Sequence, residues 1–438
     1  MNSLRLFPVI SLLFLNLLFG TAMVYAQNTI TIIENAAQSD FPNNITFLLE
    51  AESDAAPITQ VKLLYGAARQ ETLTEVHVEI TPGQRVQAQH KLDTQVTYLP
   101  PGTDLVYRWL IHDEDGTTLE TSAQDLVYHD QRFTWQEQTA RSVTVFWYQG
   151  GADFGDTLMQ TAIRTIDRLQ DEIGADVKDP IKIYIYASNR DMRPALQSNE
   201  VEWVGGQAWP DLGLIVGAIE SGNTDEIQRL IPHELSHQVL HQAVDNPYGG
   251  LPVWFDEGLA VYNQEIADPG FTELLDAAAS EGRLIPLEAL SSGFPADPDQ
   301  AALSYAQSHS IVDYIITTYG ETALRELTVA FSQATPVEQA LSETLGIGVD
   351  DLDAAWRETL PGARANVAPR APTPAVAPAN RFNNAPALNQ PGGLPLQWES
   401  PGWASLTLAA FCCVGLVAVA GLTLLVALRL IGVDKRTS

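Results

Sequence analysis

The segment 232–242, PHELSHQVLHQ, carries three of the chain's eight histidines. His233 and His237 are four residues apart, so on a helix they lie one turn apart on one face, where both can bind one metal ion. Apolar residues surround them at helical spacing, which predicts a helix that is buried on much of its circumference. A catalytic zinc site takes three protein ligands, so this helix must meet another element that supplies the third.

Two regions offer a third ligand. On a straight helix His241 lies about 12 Å along the axis from His233, at 1.5 Å per residue, which is too far for both to bind one ion. We expect His241 to lie behind the ligands or on the surface. Downstream, LPVWFDEGLAVY reads as a second amphipathic helix, and the region 247–252 lets the chain reverse before it. Two helices joined in this way can bring Glu257 against the histidine pair.

These motifs carry a resemblance. H-E-x-x-H followed about twenty residues later by E-G-L-A is similar to the gluzincin zinc peptidases, and most similar to the peptidase-MA-like group. The resemblance implies a hydrolase of peptide bonds, with Zn²⁺ bound by His233, His237 and Glu257 and with Glu234 as general base. It departs from the aminopeptidases in spacing, because nineteen residues separate His237 from Glu257 instead of eighteen. Asp256 therefore occupies the family's glutamate position, but the E-G-L-A pattern favours Glu257.

Two further stretches resemble the aminopeptidase-N-like members and extend the similarity over residues 141–345. YAQSHSIVDYIITTYG resembles their Y-E-K-G segment, whose tyrosine binds the oxyanion, and it indicates Tyr305. The alternative for Tyr305 is a core aromatic residue on a helix. GGQAWP resembles their G-x-M-E-N edge strand, but the glutamate that binds the substrate's α-amine is replaced by Ala208. The departure predicts an endopeptidase.

The hydrophobic pattern predicts an α+β chain. Period-two alternation with turns predicts an immunoglobulin- or fibronectin-III-like β-sandwich over residues 27–135, in which TQVTYL is one strand. The strands SVTVFWYQG and IKIYIYAS, a helix over 152–173 and helical spacing over most of 223–360 then predict a mixed sheet followed by a helical half. We assign residues 141–360 to this metallopeptidase domain.

Both ends of the chain predict export and anchoring. Residues 1–26 resemble a secretory signal peptide, and an uncleaved anchor is the alternative. The Pro/Ala-rich stretch 361–402 predicts a disordered stalk, and the uncharged stretch 403–428 is long enough for a transmembrane helix. Basic residues then place the tail 429–438 in the cytoplasm. The prediction is a single-pass cell-membrane protein with an extracytoplasmic catalytic domain.

Composition restricts the partners. The net charge of −30 disfavours nucleic acid and anionic lipid surfaces as partners. The peptide or protein substrate is what the resemblance to the gluzincins implies. The chain's two cysteines, Cys412 and Cys413, are adjacent and provide no disulfide framework. A catalytically degenerate metalloprotease fold that serves binding or adhesion is the alternative function. The intact Glu234 argues against it, because a binding scaffold has no chemical need for that residue. The oligomeric state stays open.

Overall fold

A computed structural model describes residues 29–361, apart from 71, 175, 197–204, 247–249 and 269. The predicted signal peptide, transmembrane helix and tail, and all but the first residue of the predicted stalk, lie outside the described residues. Within the described ranges no helix is both long and apolar enough to cross a membrane. The chain is α+β, with sandwich-like sheets in its N-terminal part and a helical C-terminal half, as the sequence predicts.

The N-terminal part forms two antiparallel sheets that share one apolar core. Its strands are β1 (Ile30–Asp40), β2 (Asn44–Ser53), β3 (Ile58–Ala67), β4 (Thr74–Val78), β5 (Arg85–Asp93), β6 (Thr103–Asp113), β7 (Thr118–Glu120) and β8 (Gln124–Tyr128). One sheet has the order β1-β2-β5 and the other β4-β3-β6-β7, with β8 also paired to β6. Alternate side chains, such as Ile45, Phe47 and Leu49 of β2, are buried in the core.

One expected strand is absent from this sandwich. Residues 94–98, within the stretch predicted as a strand, form consecutive turns. The Asp93 carboxylate accepts a hydrogen bond from the backbone N–H of Gln95 at 2.8 Å, and the side chains of Thr94 and Gln95 both donate to the carbonyl of Pro42. These side-chain hydrogen bonds to the backbone compete with a strand ladder and turn the chain.

A second five-stranded sheet forms the base of the helical half. Its strands are β9 (Gln136–Ala140), β10 (Val143–Trp147), β11 (Ile181–Tyr186), β12 (Gly206–Trp209) and β13 (Leu214–Ala218). The order is β12-β13-β11-β10-β9, with β10, β11 and β13 parallel and both edge strands antiparallel to their neighbours. One face of the sheet, with Tyr184, Tyr186 and Trp209, packs into the sandwich core. The other face, with Ile183 and Ile215, packs against the helices.

Ten α-helices follow or interrupt this sheet within the described residues. They are α1 (Gly151–Ile173), α2 (Asn189–Met192), α3 (Thr224–Ala243), α4 (Val253–Tyr262), α5 (Phe271–Glu281), α6 (Leu287–Leu290), α7 (Pro298–Tyr319), α8 (Glu321–Ser332), α9 (Val337–Leu345) and α10 (Val349–Arg357). Helix α3 begins at a cap in which the Asn223 side chain accepts from the N–H of Glu226 at 3.1 Å. Helix α4 packs against both α3 and α7, so it links the histidine helix to the helix of Tyr305.

The contact between α4 and α7 depends on Gly258. A Cβ atom at this position would lie 2.5 Å from the carbonyl oxygen of Ser308 and 2.8 Å from the Cγ2 atom of Val312. The first of these atoms belongs to backbone inside a helix, which cannot move aside alone. The small residue in the E-G-L-A pattern therefore sets how closely the two helices approach.

We expect Gly258→Ala to destabilise the fold by about 1–3 kcal/mol, the usual cost of overfilling a packed core, because α4 must move away from α7. Urea denaturation measures the free energy of unfolding. Gly250→Ala is the matched control, because a Cβ atom there meets nothing within 4 Å. Equal free energies of unfolding for the two variants would contradict this account of the helix contact.

Candidate metal centre

Three side chains from two helices converge on one point. His233 and His237 come from α3 and Glu257 from α4, and all three are buried. The Oε2 atom of Glu257 lies 3.6 Å from Nε2 of His233 and 3.5 Å from Nε2 of His237. Each residue offers one ligand atom, and these atoms lie within 4.8 Å of one another. The structure thus brings together the three ligands that the sequence predicts.

Asp256, the competing carboxylate, lies on the opposite side of His237. Its Oδ1 atom is 2.7 Å from Nδ1 of His237, and its Oδ2 atom is 2.8 Å from Nε2 of His241. Burial works to raise the pKa of Asp256, but the two histidines hold that pKa well below its usual range. A carboxylate only accepts hydrogen bonds, so Nδ1 of His237 carries a proton, and in the neutral ring the Nε2 lone pair faces Glu257. Asp256 is thus placed behind His237, where it fixes the orientation of that ring.

Gln264 lies behind His233, as Asp256 lies behind His237. Its side-chain Nε2 atom lies 3.0 Å from Nδ1 of His233, and its Oε1 atom is buried without a hydrogen-bond partner among the described residues, so the amide fits the site better when it is turned over. The two ends of an amide are assigned from the hydrogen-bond network, and the oxygen end accepts from an Nδ1–H. In that orientation the Nε2 lone pair of His233 also points toward Glu257. The sequence analysis did not identify Gln264.

Pro232 explains how Gln264 reaches the site. This proline lies inside the continuous helix α3 and has no N–H, so the carbonyl of Gln228 has no partner within the helix. That carbonyl accepts instead from the backbone N–H of Glu265 at 2.9 Å. The hydrogen bond ties the segment after α4 to the helix one turn before His233. Pro232 thus lies within an unbroken helix and frees the carbonyl that anchors the neighbour of Gln264.

Glu234 is completely buried beside the ligands. Neither carboxylate oxygen has a hydrogen-bond partner in the part of the chain that the structure describes. A Cβ atom on Gly206 would lie 2.9 Å from Oε1 of Glu234, so the carboxylate points at the edge strand β12. Burial raises the pKa of Glu234 to about 8, although His237 in its protonated form works against the rise. A positive charge near such a group favours its ionised form.

The remaining predicted residues also lie at or near this centre. Tyr305 is buried on α7, with its ring centroid 6.5 Å from that of His233 and 5.0 Å from that of Phe294. Ala208 is buried in β12 among the side chains that face the helices. No carboxylate replaces it on the strand β12 itself. Glu200 and Glu202, the carboxylates that precede β12 most closely in the sequence, lie outside the described residues.

The arrangement fits a zinc ion. Two imidazole nitrogens and one carboxylate oxygen are the donor set of a catalytic zinc site, which keeps a further position open. The outer nitrogens of both histidines are engaged by Asp256 and Gln264, as is usual for histidines that bind metals. Apart from such an ion, no positively charged group among the described residues lies within hydrogen-bonding distance of the buried Glu234 carboxylate.

The family comparison covers this part of the chain. Residues 161–362 match the Peptidase MA superfamily. The match confirms the resemblance predicted from the H-E-x-x-H and E-G-L-A motifs and contains every residue of the candidate centre. Peptidase MA domains are typically zinc-dependent, in agreement with the histidine and glutamate donors found here. The sandwich lies outside the matched Peptidase MA region. No curated protein matches the chain.

Two solved structures show only slight similarity. Wild-type OgpA from Akkermansia muciniphila is 6% identical with a TM-score of 0.20, over 24% of this chain and 28% of that one. The sulfane dehydrogenase SoxCD from Paracoccus pantotrophus is 16% identical with a TM-score of 0.14, over 21% of this chain and 23% of that one. The chain thus covers less than a third of either protein. These scores are too low to support an argument about fold or function.

Proposed function

We propose that this chain is a zinc-dependent endopeptidase. The observation that carries the proposal is the buried carboxylate of Glu234, which has no hydrogen-bond partner among the described residues and lies beside three convergent metal donors. Burying a carboxylate without a hydrogen bond or an opposite charge costs free energy. A protein that serves only adhesion gains nothing in return. A general base needs this environment, because it must exchange a proton at neutral pH. The same observation speaks against a degenerate adhesion protein.

Each residue has a defined task in this proposal. His233, His237 and Glu257 hold Zn²⁺, which supplies a Lewis acid for the scissile carbonyl and lowers the pKa of water. Glu234 accepts a proton from the attacking water at a carboxylate oxygen and later delivers it to the leaving amine. The Tyr305 hydroxyl donates a hydrogen bond to the developing oxyanion. The position of its ring near His233 supports this role.

Strand β12 supports cleavage within a chain. It is an edge strand, and the Glu234 carboxylate points at it, so an extended peptide can pair beside β12 and reach the base. An aminopeptidase needs a carboxylate there to bind the free α-amine. This chain has the uncharged Ala208 at that position. A substrate is therefore not held by its N-terminus and extends past the metal on both sides.

A pair of peptides of one sequence tests this proposal. We expect the free and the N-acetylated peptide to be cut at the same internal bonds and at similar rates, with mass spectrometry locating the cuts. Removal of the metal with a chelator should stop both reactions, and added zinc should restore them. Stepwise loss of N-terminal residues from the free peptide alone would rule out endopeptidase activity.

We also propose that the enzyme acts outside the cytoplasm on a membrane tether. The support is in the sequence: the leader-like residues 1–26, the Pro/Ala-rich stretch 361–402 and the uncharged stretch 403–428. For the N-terminal domain we propose the fibronectin-III type. Its three-stranded sheet β1-β2-β5 facing a sheet that begins β4-β3-β6 supports this topology.

A further inference from the structure

A row of three groups continues from the metal centre toward the surface. His241 lies one helical turn after His237 on the same face of α3, and the Asp256 carboxylate bridges the two rings. The side chains of His237, Asp256 and His241 are 8%, 19% and 40% exposed, so the row runs from the buried ligand to solvent. His241 thus covers the carboxylate on its outer side.

We propose that His241 is a positioning residue that fixes Asp256 and, through it, the orientation of the ligand His237. This inference rests on the proposed function, since it assumes that His237 binds zinc. The two oxygens of Asp256 have separate tasks, one on each histidine. Without the His241 donor, Oδ2 turns to water and the carboxylate can rotate about its own axis. His237 then loses the fixed acceptor that keeps its Nε2 atom directed at the metal.

The same three side chains also have the composition of a metal site, and their distances argue against it. The nitrogen–oxygen separations are 2.7 Å and 2.8 Å, which are hydrogen-bond lengths. Two ligands of one tetrahedral zinc ion, each about 2.0 Å from the metal, lie about 3.3 Å apart. The geometry is that of a carboxylate shared between two N–H donors.

The test measures the affinity for zinc by chelator competition, independently of catalysis. We expect His241→Ala to weaken zinc binding about tenfold, at the lower end of what changes behind a metal ligand cost. His241→Gln should recover most of that affinity, because its amide N–H can take the place of Nε2–H. The visible spectrum of the Co²⁺-loaded protein should change in the alanine variant and return toward wild type in the glutamine variant.

Gln242→Ala is the matched control. Its side chain lies on the same helical turn and accepts from the backbone N–H groups of Lys178 and Asp179, away from Asp256. The control should keep wild-type affinity. If alanine at position 241 prevents folding, His241→Asn replaces it, because the shorter amide does not reach Asp256.

Three outcomes would overturn the inference. The first is an affinity for zinc in His241→Ala equal to that of wild type. The second is an affinity in His241→Gln as low as that in His241→Ala. Two zinc ions per wild-type chain, reduced to one by the change at His241, would show a second metal site instead. A wild-type protein that binds no zinc would overturn the proposed function as well, so the two failures are distinguishable.

Discussion

Glu234→Gln should reduce peptide cleavage about 10²–10⁴-fold while the fold and the metal content stay unchanged, because an amide cannot accept the proton of water. The substitution is nearly isosteric, and Glu234 has no hydrogen bond within the described structure that the amide would break. The measurement is the rate of hydrolysis of a fluorogenic peptide, with circular dichroism and elemental analysis of the same samples.

Glu281→Gln is the control for this variant. Glu281 is the last residue of α5 and forms an exposed ion pair with Arg283. Loss of this ion pair should leave the cleavage rate close to that of wild type. Cleavage by Glu234→Gln at a near wild-type rate would require a hydrolytic mechanism without this base.

His237→Ala and Glu257→Ala should each abolish the binding of the one zinc ion that we expect per chain, because each removes one of three protein ligands. The loss of zinc binding should also be seen in the free energy of unfolding. Zinc at 100 times its dissociation constant adds about 2.7 kcal/mol to the free energy of unfolding of a protein that binds it only when folded. Wild type should show this gain in urea denaturation, and the two variants should not.

Asp256→Asn tests which of the two neighbouring carboxylates, Asp256 or Glu257, binds zinc. In the structure Asp256 orients His237, so its loss should weaken zinc binding about 10–100-fold and leave the stoichiometry at one. Complete loss of zinc in Asp256→Asn together with full binding in Glu257→Ala would reverse the assignment of the ligand. Undiminished zinc after His233→Ala would remove the metal centre as a whole.

The local patterns were sufficient to predict that His233, His237 and Glu257 converge, and to predict most elements. Two histidines four residues apart define one face of a helix whatever surrounds it, and the chain reversal before α4 leaves few places for Glu257. The strands β10 and β11 are short apolar runs, which periodicity identifies well. GGQAWP was expected as an edge strand, and it contains β12, which lies at the edge of its sheet.

The residues that support the ligands could not be predicted in this way. Gln264 lies beyond the end of α4, and its place depends on the hydrogen bond from Glu265 to a carbonyl that Pro232 leaves free. The missing N–H was visible in the sequence, but its new partner depends on tertiary structure. The turn at 94–98 has the same origin, because the Pro42 carbonyl that holds it is distant in sequence.

The sandwich shares its apolar core with the sheet β12-β13-β11-β10-β9, and this limits how the sandwich can move. Tyr184 and Tyr186 lie in the sheet of the helical half, yet their side chains pack among sandwich residues such as Tyr128, and Tyr186 donates a hydrogen bond to the buried Asp130. A module joined in this way does not swing on a hinge, and a chain cut between the two would expose an aromatic face to water. If the proposed peptidase also held its substrate through the sandwich, that contact would lie at a constant distance from the bond to be cleaved, and substrates would be selected by length.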